Sequence, residues 1–278
     1  MIRTNKENAM SIKLVAVDID GTLITDDRRI TDDVFQAVQE AKAQGVHVVI
    51  ATGRPIAGVI SLLEQLELNH KGNHVITFNG GLVQDAETGE EVVKELMTYE
   101  DYLDIEFLSR KIGIHMHAIT KEGIYTANRN IGKYTVHEST LVNMPIFYRT
   151  PEEMANKEII KMMMIDEPDL LDDAIKHIPQ VFFDKYTIVK STPFYLEVMP
   201  KTVSKGNAIK HLAKKLGLDM SQTMAIGDAE NDRAMLEVVA NPVVMENGVP
   251  ELKKIAKYIT KSNNDSGVAH AIREWVLK

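Results

Sequence analysis

Cysteine is absent from the 278 residues, which rules out disulfides, thiolate nucleophiles and cysteine-bound zinc. That absence fits a reducing compartment, and the cytoplasm is the expected location. No apolar run approaches the ~20 residues of a membrane-spanning helix, and Met1–Met10 lacks the apolar core of a signal peptide. No membrane association is expected. Basic residues are the minority: 32 Lys plus Arg face 40 Asp plus Glu, a formal net charge of −8, with no basic cluster to track a nucleic-acid backbone. Nucleic acid is therefore not an expected partner, and an anionic ligand would have to be held by a few local donors and a bound cation. Internal repeats and low-complexity segments are also missing.

What is present suits a folded α/β protein. Hydrophobic residues make up 44% of the chain, enough core for one large α/β unit or two ordinary domains. The run Lys13–Val17 is apolar on both faces and β-branched, the pattern of a strand inside a parallel sheet. Thr31 is placed to cap a helix with apolar residues Val34, Ala37, Val38 and Ala41, stopped by Gly45, and a second buried strand is predicted over Val46–Ala51. Late in the chain the pattern returns, with helices predicted over Ser204–Leu216 and Asp232–Val239 and strands over Thr223–Ile226 and Pro242–Met245. Between them the texture changes to hairpin signals, Asp85–Gly89 and Lys121–Gly123, and helices near Tyr99–Lys111 and Pro168–His177. The expected organisation is a discontinuous core over residues 10–88 and 193–278, an inserted α+β domain over 89–192, and a disordered extension over 1–9. Met10, directly before the first strand, is a candidate start.

Ligands of an open parallel sheet bind beyond the carboxyl ends of its strands, and four polar segments fall at such ends. Asp18 and Asp20 flank Ile19 past the first strand, so both can reach one cation, one by carboxylate and the other by carbonyl or through water; oxygen donors of this kind suit Mg²⁺. Gly21 and Thr22 allow the tight turn whose N–H groups can cradle a phosphate, although Asp-Gly is also a plain turn. Thr52-Gly53 offers a hydroxyl and an open N–H. Lys205 stands at a helix start, where the helix dipole disfavours a cation, which suggests a specific anionic partner. Gly227-Asp228-Ala229-Glu230-Asn231-Asp232 supplies a second metal carboxylate in Asp228, a neutral donor in Asn231, and in Asp232 a group to orient Lys205 or a metal-bound water.

Taken in order, Asp-x-Asp-Gly-Thr, Thr-Gly-Arg, Ser-Lys-Gly and Gly-Asp-x-x-Asn-Asp resemble the four motifs of the haloacid dehalogenase superfamily. The insert between the second and third is similar to the C2 cap of its Cof-type subfamily. Within that subfamily, Tyr125–Arg129, Tyr134–Glu138 and Met162–Pro168 resemble segments of the bacterial sugar phosphatases. The resemblance implies a Rossmannoid α/β core with a parallel sheet plus an inserted α+β cap. It further implies a Mg²⁺-dependent phosphatase of small phosphorylated metabolites, sugar phosphates foremost, working through an aspartyl-phosphate. By the same resemblance Asp18 is nucleophile and metal ligand. Asp20 is general acid/base and a ligand through its backbone carbonyl, and Asp228 is the third ligand. Ile19, Thr52, Gly53, Lys205 and Asn231 hold the phosphoryl group. A cap closing over the core would exclude water and set specificity.

Two other activities share these features: a sugar phosphomutase of the same fold, and a non-catalytic phosphosugar-binding regulatory protein. Oligomeric state is not readable. His115 and His117 alternate on one strand face without a third ligand nearby, so burial is their expected role. Asn128, Arg129, Tyr134, His137 and Glu138 form a polar and aromatic patch suited equally to a sugar or to a subunit contact. Arg54 and Asn79 follow strands and could line the entrance, and Glu246 is an unusual acid before Asn247.

Overall fold

The computed structural model describes residues 11–278. The expected extension over 1–9 and the candidate start at Met10 lie outside the described residues. β1 (Leu14–Val17) is buried along its whole length, as its unbroken apolar run requires. α1 (Asp32–Ala43) begins where the Thr31 hydroxyl accepts the Val34 N–H, carries Asp32 and Asp33 in its positive first turn, and turns Val34, Ala37, Val38 and Ala41 into the core. β2 (His47–Ala51), α2 (Ile60–Gln65), β3 (His74–Thr77), β4 (Leu82–Asp85) and β5 (Glu91–Lys94) follow.

The middle of the chain contributes α3 (Tyr99–Ile112), closed by a Thr98/Asp101 capping box, then β6 (His115–Ile119) and β7 (Ile124–Thr126). After them come α4 (Lys133–Val142), β8 (Ile146–Tyr148), β9 (Lys161–Ile165), α5 (Pro168–Ile175), α6 (Gln180–Lys185), β10 (Tyr186–Thr192) and β11 (Tyr195–Pro200). The chain ends with α7 (Lys205–Lys215), β12 (Thr223–Gly227), α8 (Arg233–Leu236), β13 (Asn241–Val244), α9 (Pro250–Lys253), β14 (Tyr258–Ile259) and α10 (Gly267–Trp275). The helix expected over Asp232–Val239 is shorter at both ends: Asp232 belongs to a 3-10 turn over Glu230–Asp232, and the helix stops at Leu236 with Glu237 as C-cap.

Two sheets organise two compact units. An eight-stranded sheet in the order β14-β13-β12-β1-β2-β3-β4-β5 is parallel from β14 to β3, with β4 antiparallel to β3. A six-stranded sheet has the order β10-β11-β9-β6-β7-β8. The first unit runs to Gly53 and takes Val59–Val93 and Ser204–Lys278, while the second takes Arg54–Gly58 and Lys94–Val203.

Both divisions fall later than 88/89 and 192/193. The Asp85–Gly89 turn joins β4 to β5 of the eight-stranded sheet, its Asp85 carboxylate accepting the N–H groups of Glu87 and Thr88 at 3.0 Å each. A cut at 192 would split the β10–β11 hairpin, whose antiparallel register pairs Tyr186 with Pro200 and Ile188 with Val198.

Among the described residues no helix is long and apolar enough to cross a membrane. β1 lies between β2 and β12, with Val17 opposite both Ile50 and Ile226. The chain therefore leaves three adjacent strands at one level, at the switch point where strand order reverses.

Candidate active site

Asp18 continues the ladder one residue past β1, its N–H donating to Ile226 O at 3.0 Å. The chain then coils: the N–H groups of Thr22, Leu23 and Ile24 all donate to Ile19 O, at 3.3, 3.0 and 3.2 Å. Gly21 is required in this coil on two counts. Its φ is +77°, and a Cβ there would lie 2.4 Å from Asp228 Oδ2. The loop after β1 is thus pressed against the carboxylate that follows β12, and the buried Thr22 hydroxyl donates to Asp228 Oδ1 at 2.9 Å.

Lys205 opens α7, behind Ser204 as N-cap. Its side chain is wholly buried, with Nζ 2.5 Å from Asp18 Oδ1 and 2.7 Å from Asp232 Oδ1. Asp232 is used twice over, because its Oδ2 accepts the N–H groups of Asp228 and Ala229 at 3.0 and 3.2 Å. Of the two roles open to it from sequence, the geometry shows the first: it holds Lys205 and stiffens the loop carrying Asp228.

Carboxylate oxygens of Asp18, Asp228 and Asp232 lie within 4.8 Å of one another. Burial pushes the Asp18 carboxyl up, Lys205 pulls it back, Asp232 and Asp228 push it up again, and it stands at about 7. Burial likewise lifts Asp228 to about 6 against the Thr22 hydrogen bond, with Asp232 adding repulsion. For Lys205, burial alone would lower the pKa, but Asp18 and Asp232 outweigh it and raise it. Three carboxylates facing one ammonium form a site that a hard divalent cation would relieve, and its all-oxygen donors fit Mg²⁺ better than zinc.

Asp20 is exposed and its carboxylate is outside this group; the role expected for it as a ligand runs through its main-chain carbonyl. Thr52 is 2% exposed just past β2, with its carbonyl accepting the Asn79 N–H at 2.9 Å. Gly53 ends the same segment, and Asn231 stands exposed in the turn Glu230–Asp232.

Two bracing residues escaped the sequence reading. Thr22 was legible only as a turn residue, although a buried hydroxyl needs a partner. Asn247 donates to Gly21 O at 2.8 Å and accepts the Asn263 N–H at 3.1 Å, while the Val249 N–H donates to Asp228 O at 2.9 Å. The loop after β13 thus holds both acid-bearing loops, which no local spacing announces.

Glu246 lies in the first unit, and the remaining candidates lie in the second, including Arg54. His115 pairs with Asp166 at 2.8 Å, and the fully buried His117 is pushed down to about 3 by desolvation and then by Lys161. Asn128 accepts the Met116 N–H at 2.8 Å, Tyr134 stacks on Phe194 with centroids 4.4 Å apart, and His137 meets the Tyr195 hydroxyl at 2.8 Å.

A family model of the haloacid dehalogenase-like hydrolases matches residues 15–272, and the chain belongs to this family. Over 268 residues, 96% of this chain, it is 95% identical to the whole of a Streptococcus pyogenes serotype M6 protein named as a phosphatase. It is 42% identical to YxeH of Bacillus subtilis, also named as a phosphatase, over 95% of this chain and 98% of that one. Among solved structures it is similar to the subclass IIB sugar phosphatase BT4131, with a TM-score of 0.76 at 26% identity, covering 96% of this chain and 100% of that one. In class of activity the chain is a phosphoric monoester hydrolase.

Proposed function

We propose that this chain hydrolyses small phosphorylated metabolites, sugar phosphates foremost, through a phosphoryl-enzyme formed on Asp18 in the presence of Mg²⁺. One observation carries the reading: a buried lysine holds Asp18 Oδ1 at the end of the central strand, while the carboxylate of Asp228 stands alongside. The likeness to the sugar phosphatase BT4131, and that of Tyr125–Arg129, Tyr134–Glu138 and Met162–Pro168 to sugar phosphatases, support the substrate class.

Phosphoryl transfer needs mostly alignment and charge neutralisation. Lys205 fixes the Asp18 rotamer, and Asp232 fixes Lys205. Asp18 attacks phosphorus as the ester P–O bond breaks, and Asp20 gives its proton to the leaving alkoxide. Asp20 then takes a proton from the water that hydrolyses the acyl phosphate. The phosphoryl oxygens are held by the Ile19 N–H, Thr52, Gly53, Lys205 and Asn231. Asp18, Asp228 and the Asp20 carbonyl would hold Mg²⁺, which when bound neutralises phosphoryl charge.

The test is a phosphate-release screen over a sugar-phosphate panel, with and without Mg²⁺, with Asp18→Asn as control. Metal-dependent release that disappears in the variant is expected. Isomerised sugar phosphate in place of free phosphate, or binding without release, would overturn the assignment.

A further inference from the structure

After β3 the chain takes three consecutive left-handed residues, Phe78 (φ +52°), Asn79 (φ +56°) and Gly80 (φ +100°), of which only the last is glycine. Backbone of this kind is unfavourable for phenylalanine and persists where the surroundings enforce it, commonly at functional sites. The surroundings here are two of the phosphate-binding segments. The Asn79 N–H donates to Thr52 O at 2.9 Å, and a Cβ on Gly80 would lie 2.2 Å from Ser204 O and 2.9 Å from Lys205 N. The turn is therefore wedged between Thr52-Gly53 and Ser204-Lys205.

The Asn79 side chain has no part in holding that wedge, since the contact to Thr52 is made by its main chain. Its carboxamide lies flat on Gly53, where a Cβ would sit 3.1 Å from Oδ1 and 3.2 Å from Nδ2. Oδ1 is shielded from solvent and accepts no hydrogen bond from any described residue. A buried acceptor without a donor is rare in folded proteins and calls for a partner. The phosphoryl oxygens are themselves acceptors, so the donor that a phosphoester substrate can offer this oxygen is a hydroxyl on the alcohol side of the ester.

Resting on the phosphatase reading above, we propose that Asn79 is a specificity-determining residue whose carboxamide accepts a hydrogen bond from a substrate hydroxyl close to the phosphoester. The preferred class is then polyol and sugar phosphates over plain alkyl phosphates. A site built to bond a hydroxyl discriminates strongly against the analogue lacking it.

The test measures binding, so that it does not depend on turnover. The full chain carrying Asp18→Asn, in Mg²⁺, is titrated calorimetrically with glycerol 3-phosphate and with propyl phosphate, which has the same carbon chain without hydroxyls. The expected preference for the first is about tenfold or more. Adding Asn79→Gly, which suits the left-handed backbone and leaves the turn foldable, should erase the preference while propyl phosphate binds within about twofold of its former affinity. Adding Asn79→Asp instead keeps an acceptor and should retain the preference while weakening both ligands by repulsion. A preference that survives Asn79→Gly, or an equal loss for both ligands, overturns the proposal. Failure of wild-type protein to release phosphate from either ester would instead count against the phosphatase reading, and the binding ratio would still decide the role of Asn79.

Discussion

At the end of β1 three carboxylates crowd one ammonium, whereas in the six-stranded unit most charges removed from water meet a single opposite partner. Lys161 and Glu197 pair at 2.9 Å in that second unit; burial pushes Glu197 up, but Lys161 pulls it further down. Burial also raises Asp101, yet hydrogen bonds from Lys185, the Tyr186 hydroxyl and Thr98 bring it to about 2. Glu138 is the exception: burial raises it against the pull of the same Lys161, and Glu197 pushes it up further. In the eight-stranded unit Asp18 and Asp228 go the other way, to about 7 and about 6. The contrast separates two uses of charge. Satisfied pairs hold an architecture together, whereas an unbalanced cluster is tolerated where binding a cation or an anion completes it.

The sharpest way to break this contrast is at Asp18. Asp18→Asn should lower phosphate release by about a thousandfold or more, as loss of a nucleophile does. The same variant, free of metal at pH 7.5, should unfold at a temperature no lower than wild type, because the lost carboxylate was the strained one. A clear drop in unfolding temperature would show Asp18 to be structural.

In the second unit the expectation reverses. Lys161→Met should cost about 3–5 kcal/mol by stranding Glu197, while Lys161→Met with Glu197→Leu should be nearly neutral. Denaturant unfolding of the two variants checks this, and equal losses would mean that the pair is not a closed unit.

Thr22→Val deletes the donor to Asp228 Oδ1. Loss of such outer support raises the metal concentration needed for half-maximal stabilisation by about tenfold. Mg²⁺-dependent thermal shifts read that midpoint, and an unchanged value would confine Thr22 to turn formation.

The smallest effect is in pH. The folded pKa values of Asp18 and Asp228 lie above the ordinary 3.8, so their contribution to stability is full below about 3.8 and is lost as pH rises through about 6 to 7. Asp101 has the opposite sign, its contribution being present above about 3.8 and lost as pH falls toward about 2. In metal-free protein Asp18 and Asp228 should therefore favour the fold at pH 5.5 over pH 8, against the opposite pull of buried His117, whose pKa is pushed down. Asp18→Asn should weaken that preference in thermal melts, and Asp101→Asn should alter only the acid side.

Much of this molecule was legible in one dimension. The buried strand before Asp18, the Thr31 cap and the four motifs each depend on residues within a few positions of one another. The domain boundaries were less so: Asp85–Gly89 read as a hairpin of the insert and the 192/193 division fell inside β10–β11, and only pairing with β3 and with β9 decides which sheet owns each. The bracing of the site was illegible for the same reason, since Thr22 and Asp228 are 206 positions apart and Asn247 and Gly21 are 226.

Sequence alone determined which residues are candidates for the chemistry, because carboxylates two apart after an apolar strand, a lysine at a helix start and an acidic turn are local patterns with local physics. Tertiary structure decided how those groups share charge. Whether Asp18 is strained, and whether Asp232 serves Lys205, depends on which strand lies next to which, and parallel pairing joins strands that the chain itself keeps far apart.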